Sequence, residues 1–315
     1  MLTGIRHVTA ITSDGQKNVD FYAQLLGLRV VKVTVNFDDP GSYHLYYGDE
    51  FGSPGSIMTF FVWPGAHHGR PGNGQTIATA FAVPAGSLDF WALRLAAAGY
   101  ASTRTTRFGQ SVLAFVDFDG LALEMIETDA SDTRKPWLNR EFSTTNAIKG
   151  FHSVTLGEEG YEQTAKLLTR TMGFVQTRQE DSRFQYATQT EGGGRIIDLV
   201  CQPGARRGST GAGVVHHVAL RVADDAGEIE WRRKLVAANL NVSPVMDRTY
   251  FHSIYYREPG GVLFEIATDN PGFAIDESAD SLGGSLRLPP GVEAHRDSLR
   301  QQLPKLNLPG GVTMP

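Results

Sequence analysis

A repeat of about 70 residues constrains this chain more than any other feature. Four times, a short apolar strand is followed about twenty residues later by a helix that ends in Gly or Asn before a new strand begins. The strand openings are Ile5-Arg6-His7-Val8, Ile77-Ala78-Thr79-Ala80, Phe151-His152-Ser153-Val154 and His216-His217-Val218-Ala219. The helix ends are Leu26-Gly27-Leu28, Ala98-Gly99-Tyr100, Met172-Gly173-Phe174 and Ala238-Asn239-Leu240, each offering a residue that tolerates the left-handed turn closing a helix. Aligned this way, His stands at one structural position in three of the four copies.

Each copy reads as βαβββ. In the first, Ile5 to Ile11 is a strand, Val19, Tyr22, Leu25 and Leu26 fall at helical spacing, and strands follow at Arg29 to Val35, Tyr43 to Tyr47 and Ile57 to Val62. The second has a strand at Thr76 to Val83 and a Ser-capped helix from Ser87 to Ala98, then strands near Thr103, at Val112 to Phe118 and at Leu121 to Ile126. The third runs from Gly150 through a helix at Tyr161 to Met172, and the fourth from Val214 through a helix at Glu228 to Ala238. At 315 residues the chain is longer than one ordinary domain. The expected fold class is therefore α+β, with four βαβββ modules forming two domains of cupped, mostly antiparallel sheets. Residues 1–130 form the first domain (modules 4–63 and 75–127), 131–148 a linker around Lys135-Pro136-Trp137, and 149–270 the second domain (modules 150–201 and 213–268). Residues 271–315, with six prolines and a short helical stretch near Val292 to Leu303, form a wrapping tail.

Composition narrows the function classes. A net charge of −5 gives no general attraction to nucleic acid or anionic lipid, so neither is an expected partner. One cysteine, Cys201, excludes an internal disulfide and Cys/His zinc spacings, which fits a reducing cytoplasm. No apolar stretch long enough to span a membrane is present, and the start shows no export signal.

Carboxylates recur on the closing strands: Glu265 in Leu263-Phe264-Glu265-Ile266, Glu124 in Ala122-Leu123-Glu124-Met125 and Asp198 in Ile197-Asp198-Leu199, with an apolar residue near Phe60 in the first unit. An unpaired carboxylate among bulky apolar neighbours costs several kcal/mol, so something must compensate it, and a cation is the natural candidate. Units one and four together offer His7, His217 and Glu265, a two-His, one-carboxylate set that leaves coordination positions open on Fe(II). Units three and four offer His152, His217, Glu265 and Asp198 instead. Both pairings share His217 and Glu265. His67-His68 reads as a solvent-facing loop pair and His44 as a polar strand residue. The stretch Asp247 to Gly261 is dense in polar and aromatic groups, and strand alternation puts Ser253 and Tyr255 on one face, with Tyr255 near Glu265.

Over nearly its whole length the sequence resembles the ring-cleaving dioxygenases of the vicinal oxygen chelate superfamily, in the branch acting on hydroquinones and catechols. The resembling segments are Ile5 to Ile11, Val31 to Pro40 with Tyr43 to Asp49, Val215 to Ala219, and Asp247 to Glu265 running on to Phe273. The resemblance implies iron held by His7, His217 and Glu265, with His152 as the alternative first ligand by analogy with catechol-cleaving members. It also carries supporting roles onto Thr9, His216, Arg248 and Tyr255. Arg6 stands where this branch often has His, and His252 where Arg is more usual.

The implied activity is a non-haem Fe(II) dioxygenase, with Mn(II) the alternative metal, that inserts O2 into a dihydroxybenzene of the hydroquinone or catechol type. His216 and Tyr255 transfer protons, Arg248 stabilises the developing anion, and Thr9, Tyr250, Ser253 and His252 bind substrate. The expected partners are a small aromatic diol and O2, with a homo-oligomer compatible. Two other readings use the same cup: a metal-free protein that sequesters aromatic compounds, and a glyoxalase-type isomerase. The latter commonly needs a fourth protein ligand, often a second Glu, which the apolar position near Phe60 does not supply.

Overall fold

The computed structural model describes residues 1–315. The first repeat forms strands β1 (Ile5–Thr12), β2 (Arg29–Val35), β3 (Tyr43–Gly48) and β4 (Ile57–Val62), and the second β5 (Gln75–Pro84), β6 (Ser102–Arg107), β7 (Gln110–Val116) and β8 (Ala122–Thr128). The third forms β9 (Gly150–Glu158), β10 (Val175–Glu180), β11 (Arg183–Ala187) and β12 (Ile196–Cys201), and the fourth β13 (Val215–Val222), β14 (Met246–Asp247), β15 (Phe251–Arg257) and β16 (Leu263–Pro271). One helix crosses each unit: α1 (Gly15–Val19), α2 (Leu88–Ala97), α3 (Glu162–Lys166) and α4 (Asp225–Ala237). Helices α1 and α3 both widen into a π turn, at Asp20–Leu25 and Leu167–Thr171, so units one and three share a detail that their sequences do not announce.

The helix ends behave as their residues require. Gly27 and Asn239 both have positive φ, at 73° and 62°. Gly27 is also sterically required, because a Cβ there would lie 2.3 Å from the Phe142 ring. The helix starts differ from expectation in two places. Ser87 has helical backbone angles, and its hydroxyl donates to the Pro84 carbonyl at 2.6 Å instead of capping α2. Helix α4 begins three residues before Glu228, because the Asp224 carboxylate accepts from the Gly227 amide and caps it there.

Sixteen strands make two eight-stranded sheets, in the orders β14-β15-β16-β13-β1-β4-β3-β2 and β10-β11-β12-β9-β5-β8-β7-β6. In every unit the first strand runs parallel to the last, and its other edge is left to pair with another unit. That edge joins β1 to β13 and β5 to β9, both antiparallel. Units one and four therefore share one sheet, and units two and three the other. The boundary at 131–148 divides the chain into halves but not into separate sheets, because each sheet takes one unit from each half. A core of 61 buried residues runs through all four units. The segment at 131–148 is packed against it, with Phe142 stacked on Trp91 at 5.5 Å between centroids.

The tail packs on the first unit. Its helix α5 (Arg296–Gln302) lies in the anticipated stretch, and a small hairpin of β17 (Leu306–Leu308) and β18 (Val312–Met314) was not foreseen. Buried Lys32 holds the tail through Asp276 at 2.6 Å and through Glu277. No helix is long and apolar enough to cross a membrane.

Candidate metal centre

Pairing β1 with β13 assembles the site, because it sets two rows of side chains side by side on one face. In the first row Tyr255 pairs with Glu265, Glu265 with Ala219, and Ala219 with His7. In the second His217 pairs with Thr9, Thr9 with Thr59, and Thr59 with Tyr46. His7 and Thr9 are two residues apart on β1, as are His217 and Ala219 on β13, so period-2 alternation points all of them into the same cup.

There His7 Nε2 lies 3.2 Å and His217 Nε2 2.9 Å from Glu265 Oε2, and the two imidazole nitrogens are 3.4 Å apart. The three ligand atoms fall within 4.8 Å of one another, and all three residues are buried. Neither oxygen of Glu265 has a hydrogen bond of acceptable geometry, although two ring nitrogens face it. Burial alone would raise this carboxyl, but His7 and His217 hold it well below the usual carboxylate range. Burial pushes His7 down to about 4, so its ring is neutral near pH 7. A buried anion without a bonded donor, facing two nitrogens, is the donor set of a divalent metal site. These residues can hold a metal ion.

The groups behind the two histidines differ. His217 Nδ1 lies 2.8 Å from His216 Nδ1. With Nε2 of His217 used as ligand, its proton sits on Nδ1 and is donated to His216, which then carries its own proton on Nε2. Burial and the neighbouring His217 push His216 down to about 3, so it stays neutral. Behind His7 stands Arg6, with Nη1 3.2 Å from His7 Nδ1, Nε donating to the Thr268 carbonyl at 2.7 Å, and the guanidinium 4.1 Å over the Phe251 ring. A guanidinium has no acceptor, so His7 lacks the orienting acceptor that His217 has.

A cavity of about 180 Å3 opens in front of the triad. Phe61 and Trp63, stacked 7° from parallel, contribute to its apolar wall. Its polar groups include Thr9, His216, Tyr255 and Arg248, all expected from the sequence. Arg248 Nε donates to the Tyr255 hydroxyl at 3.3 Å, and its other nitrogens lie 3.5 Å from Asp38. Burial, then Glu265, raises the Tyr255 phenol, so it remains protonated.

The sequence profile of the Glyoxalase/Bleomycin resistance protein/Dioxygenase superfamily matches residues 4–125 and 150–266, which are the four repeats. The chain belongs to this superfamily. Among curated relatives, it is 45% identical over 300 residues to MhqO of Bacillus subtilis (strain 168), provisionally named a ring-cleaving dioxygenase, covering 95% of both chains. It is 34% identical over 305 residues to the chlorohydroquinone/hydroquinone 1,2-dioxygenase of Sphingobium indicum, covering 94% of each. A crystal structure of a provisionally named dioxygenase from Bacillus subtilis superposes with a TM-score of 0.93 at 45% identity, covering 96% of this chain and 97% of that one. Glyoxalase I from Zea mays shares the fold, with a TM-score of 0.63 at 15% identity over 84% of this chain and 92% of that one.

The sheet register corrects how the repeats align. Thr155 pairs with Asp198 as Ala219 pairs with Glu265, so Ser153, not His152, takes the place of His217. His152 lies on β9 in the other sheet, with Nδ1 3.0 Å from the Ser153 hydroxyl, and cannot join Glu265. By the same register the first-unit counterpart of Glu265 is Thr59, not an apolar residue near Phe60. In the second cup, arginines compensate the acids: Arg107 pairs with Glu124 at 2.5 Å and Arg183 with Asp198 at 2.9 Å.

Three expected substrate-binding residues fall outside the cavity. His252 is on the opposite face of β15 from Ser253 and Tyr255, paired with Asp225 of α4 at 2.8 Å. Tyr250 donates to Asp276 at 3.0 Å and packs beneath the tail. Ser253 shares the face of Tyr255 but is fully buried and does not line the cavity. His44 and Tyr46, by contrast, do line it, although His44 in its sequence context reads as a polar strand residue. The signal available was their alternation, since residues 44 and 46 share one face of β3. His67 lies exposed as expected, and His68 reaches the Asp119 carbonyl at 3.2 Å.

Proposed function

We propose that this protein is a non-haem Fe(II)-dependent dioxygenase that cleaves the ring of a small dihydroxybenzene, hydroquinone or catechol. The carrying observation is the triad of His7, His217 and Glu265 opening onto a cavity of about 180 Å3. That volume suits one ring better than a drug-sized ligand. The names of two relatives, ring-cleaving dioxygenase and chlorohydroquinone/hydroquinone 1,2-dioxygenase, support the same reading.

Iron held by these three residues would supply the centre at which a diol oxygen and O2 meet and through which electrons pass between them. The chain's own groups do the rest. Phe61, Trp63 and Phe251 line the ring space and exclude water. Arg248, fixed between Asp38 and Tyr255, holds positive charge where a diol oxygen loses its proton. Tyr255 keeps its phenolic proton available as a donor, and His216, neutral with its proton on Nε2, donates from the side of His217.

A glyoxalase-type isomerase would call for a fourth protein ligand, and Thr59, a poor ligand, stands where a second Glu would be. The test is anaerobic loading with Fe(II), followed by O2 with hydroquinone, chlorohydroquinone or catechol. Oxygen uptake with loss of the aromatic absorbance is expected. Absence of uptake with every diol would sink the proposal.

A further inference from the structure

One hydrogen-bonded set of buried groups in the cavity wall is given no step in the reading above. Thr9 Oγ1 lies 2.9 Å from Thr59 Oγ1, Thr59 Oγ1 lies 2.8 Å from His44 Nε2, and the Tyr46 hydroxyl lies 2.9 Å from His44 Nδ1. All four residues are buried; Thr9 and Tyr46, the two ends, and His44 between them line the cavity, and Thr59 does not.

Proton counting constrains the chain. Each hydroxyl carries one proton and a neutral imidazole carries one, so four groups share four protons across three links. One proton is always left over, and it points out of one end while the other end accepts. Two senses satisfy every link. In one, Thr9 donates to Thr59, Thr59 to His44 Nε2, and His44 Nδ1 to Tyr46, leaving the Tyr46 proton free. In the other every bond reverses and Thr9 holds the free proton. Passing between them moves the imidazole proton from one nitrogen to the other and leaves no charge behind. Burial keeps His44 well below the usual imidazole range, so the ring stays neutral.

We propose that Thr9, Thr59, His44 and Tyr46 form a reversible hydrogen-bond relay joining two points of the cavity, with His44 as its central positioning residue. The proposal rests on the aromatic-diol reading, and it assigns the ligand form: a singly deprotonated diol, with one oxygen that donates and one that accepts. In the transfer, a diol O–H breaks as its proton goes to the Thr9 oxygen. Thr9 passes its own to Thr59, Thr59 to His44 Nε2, and His44 Nδ1 to Tyr46, whose original proton goes to the deprotonated oxygen of the same diol. The relay ends neutral and in the opposite sense.

The test reads His44 directly, by 15N NMR of histidine-labelled protein loaded with Zn(II), with 4-methoxyphenol as a non-cleavable probe carrying one donor and one acceptor. Averaged ring-nitrogen shifts are expected without the probe, moving toward one tautomer when it binds. Tyr46→Phe removes the partner of Nδ1 and should lock the proton on Nε2, because a buried N–H without an acceptor is disfavoured. In the iron-loaded enzyme the same variant should lower kcat roughly 10- to 100-fold with KM within about twofold. A His44 tautomer that is fixed, indifferent to the probe and unchanged in Tyr46→Phe would overturn the relay. Those shifts need no turnover, so failure of the dioxygenase reading shows separately, as wild-type protein that takes up no oxygen.

Discussion

His7 and His217 both turn Nε2 toward Glu265 but have opposite groups behind them. His217 has an acceptor, His216 Nδ1, at 2.8 Å, whereas His7 has the guanidinium of Arg6 at 3.2 Å, which can only donate. Acceptors behind metal-bound histidines orient the ring and raise its basicity, and losing one typically costs 10- to 100-fold in affinity. Arg6→His would place an imidazole before His7 as His216 stands before His217. Metal affinity in that variant, measured by competition with a chelator, should rise by roughly 10-fold. Unchanged or weaker binding would mean that Arg6 supports the centre in some other way, such as through its bond to Thr268.

On the closing strands, one position decides how many protein ligands the centre has. Glu265 occupies it on β16 and Thr59 on β4, because Ala219 and Thr9 are their respective neighbours. Thr59→Glu would bring a second carboxylate to the cup and fill an open coordination position. We expect metal to bind roughly 10-fold tighter and diol-dependent oxygen uptake to fall at least about 10-fold. Uptake that survives would show that Thr59 does not face the metal. This position was misread from the sequence for a physical reason. Alternation of polar and apolar residues normally reveals which face a strand buries, and a slip of one residue then shows. Every residue of β1 is buried, as is almost every residue of β4, so both faces look alike. The same loss of contrast put His152 in the place of Ser153 and hid His44 within β3, whose residues are all buried. On β15 alternation puts Ser253 and Tyr255 on one face, and the same alternation implies that His252 faces the other way.

Across the whole molecule, strand and helix positions were legible because Gly27, Gly99, Gly173 and Asn239 mark the same event in each unit. The three candidate ligands were legible through their residue types and the resemblance, and their ligand atoms lie within 4.8 Å of one another. The partnership of units was not legible from spacing, since joining β1 to β13 closes a separation of about two hundred residues that no local pattern records. It is nevertheless the step that creates the centre, because His7 comes from the first repeat and His217 and Glu265 from the fourth. Reconstituting wild-type protein, His7→Ala and His152→Ala with Fe(II) under anaerobic conditions, then measuring bound iron after desalting, tests this most directly. The account predicts roughly one iron per chain in wild type and in His152→Ala, and less than about a tenth of that in His7→Ala. Iron retained by His7→Ala and lost from His152→Ala would contradict it.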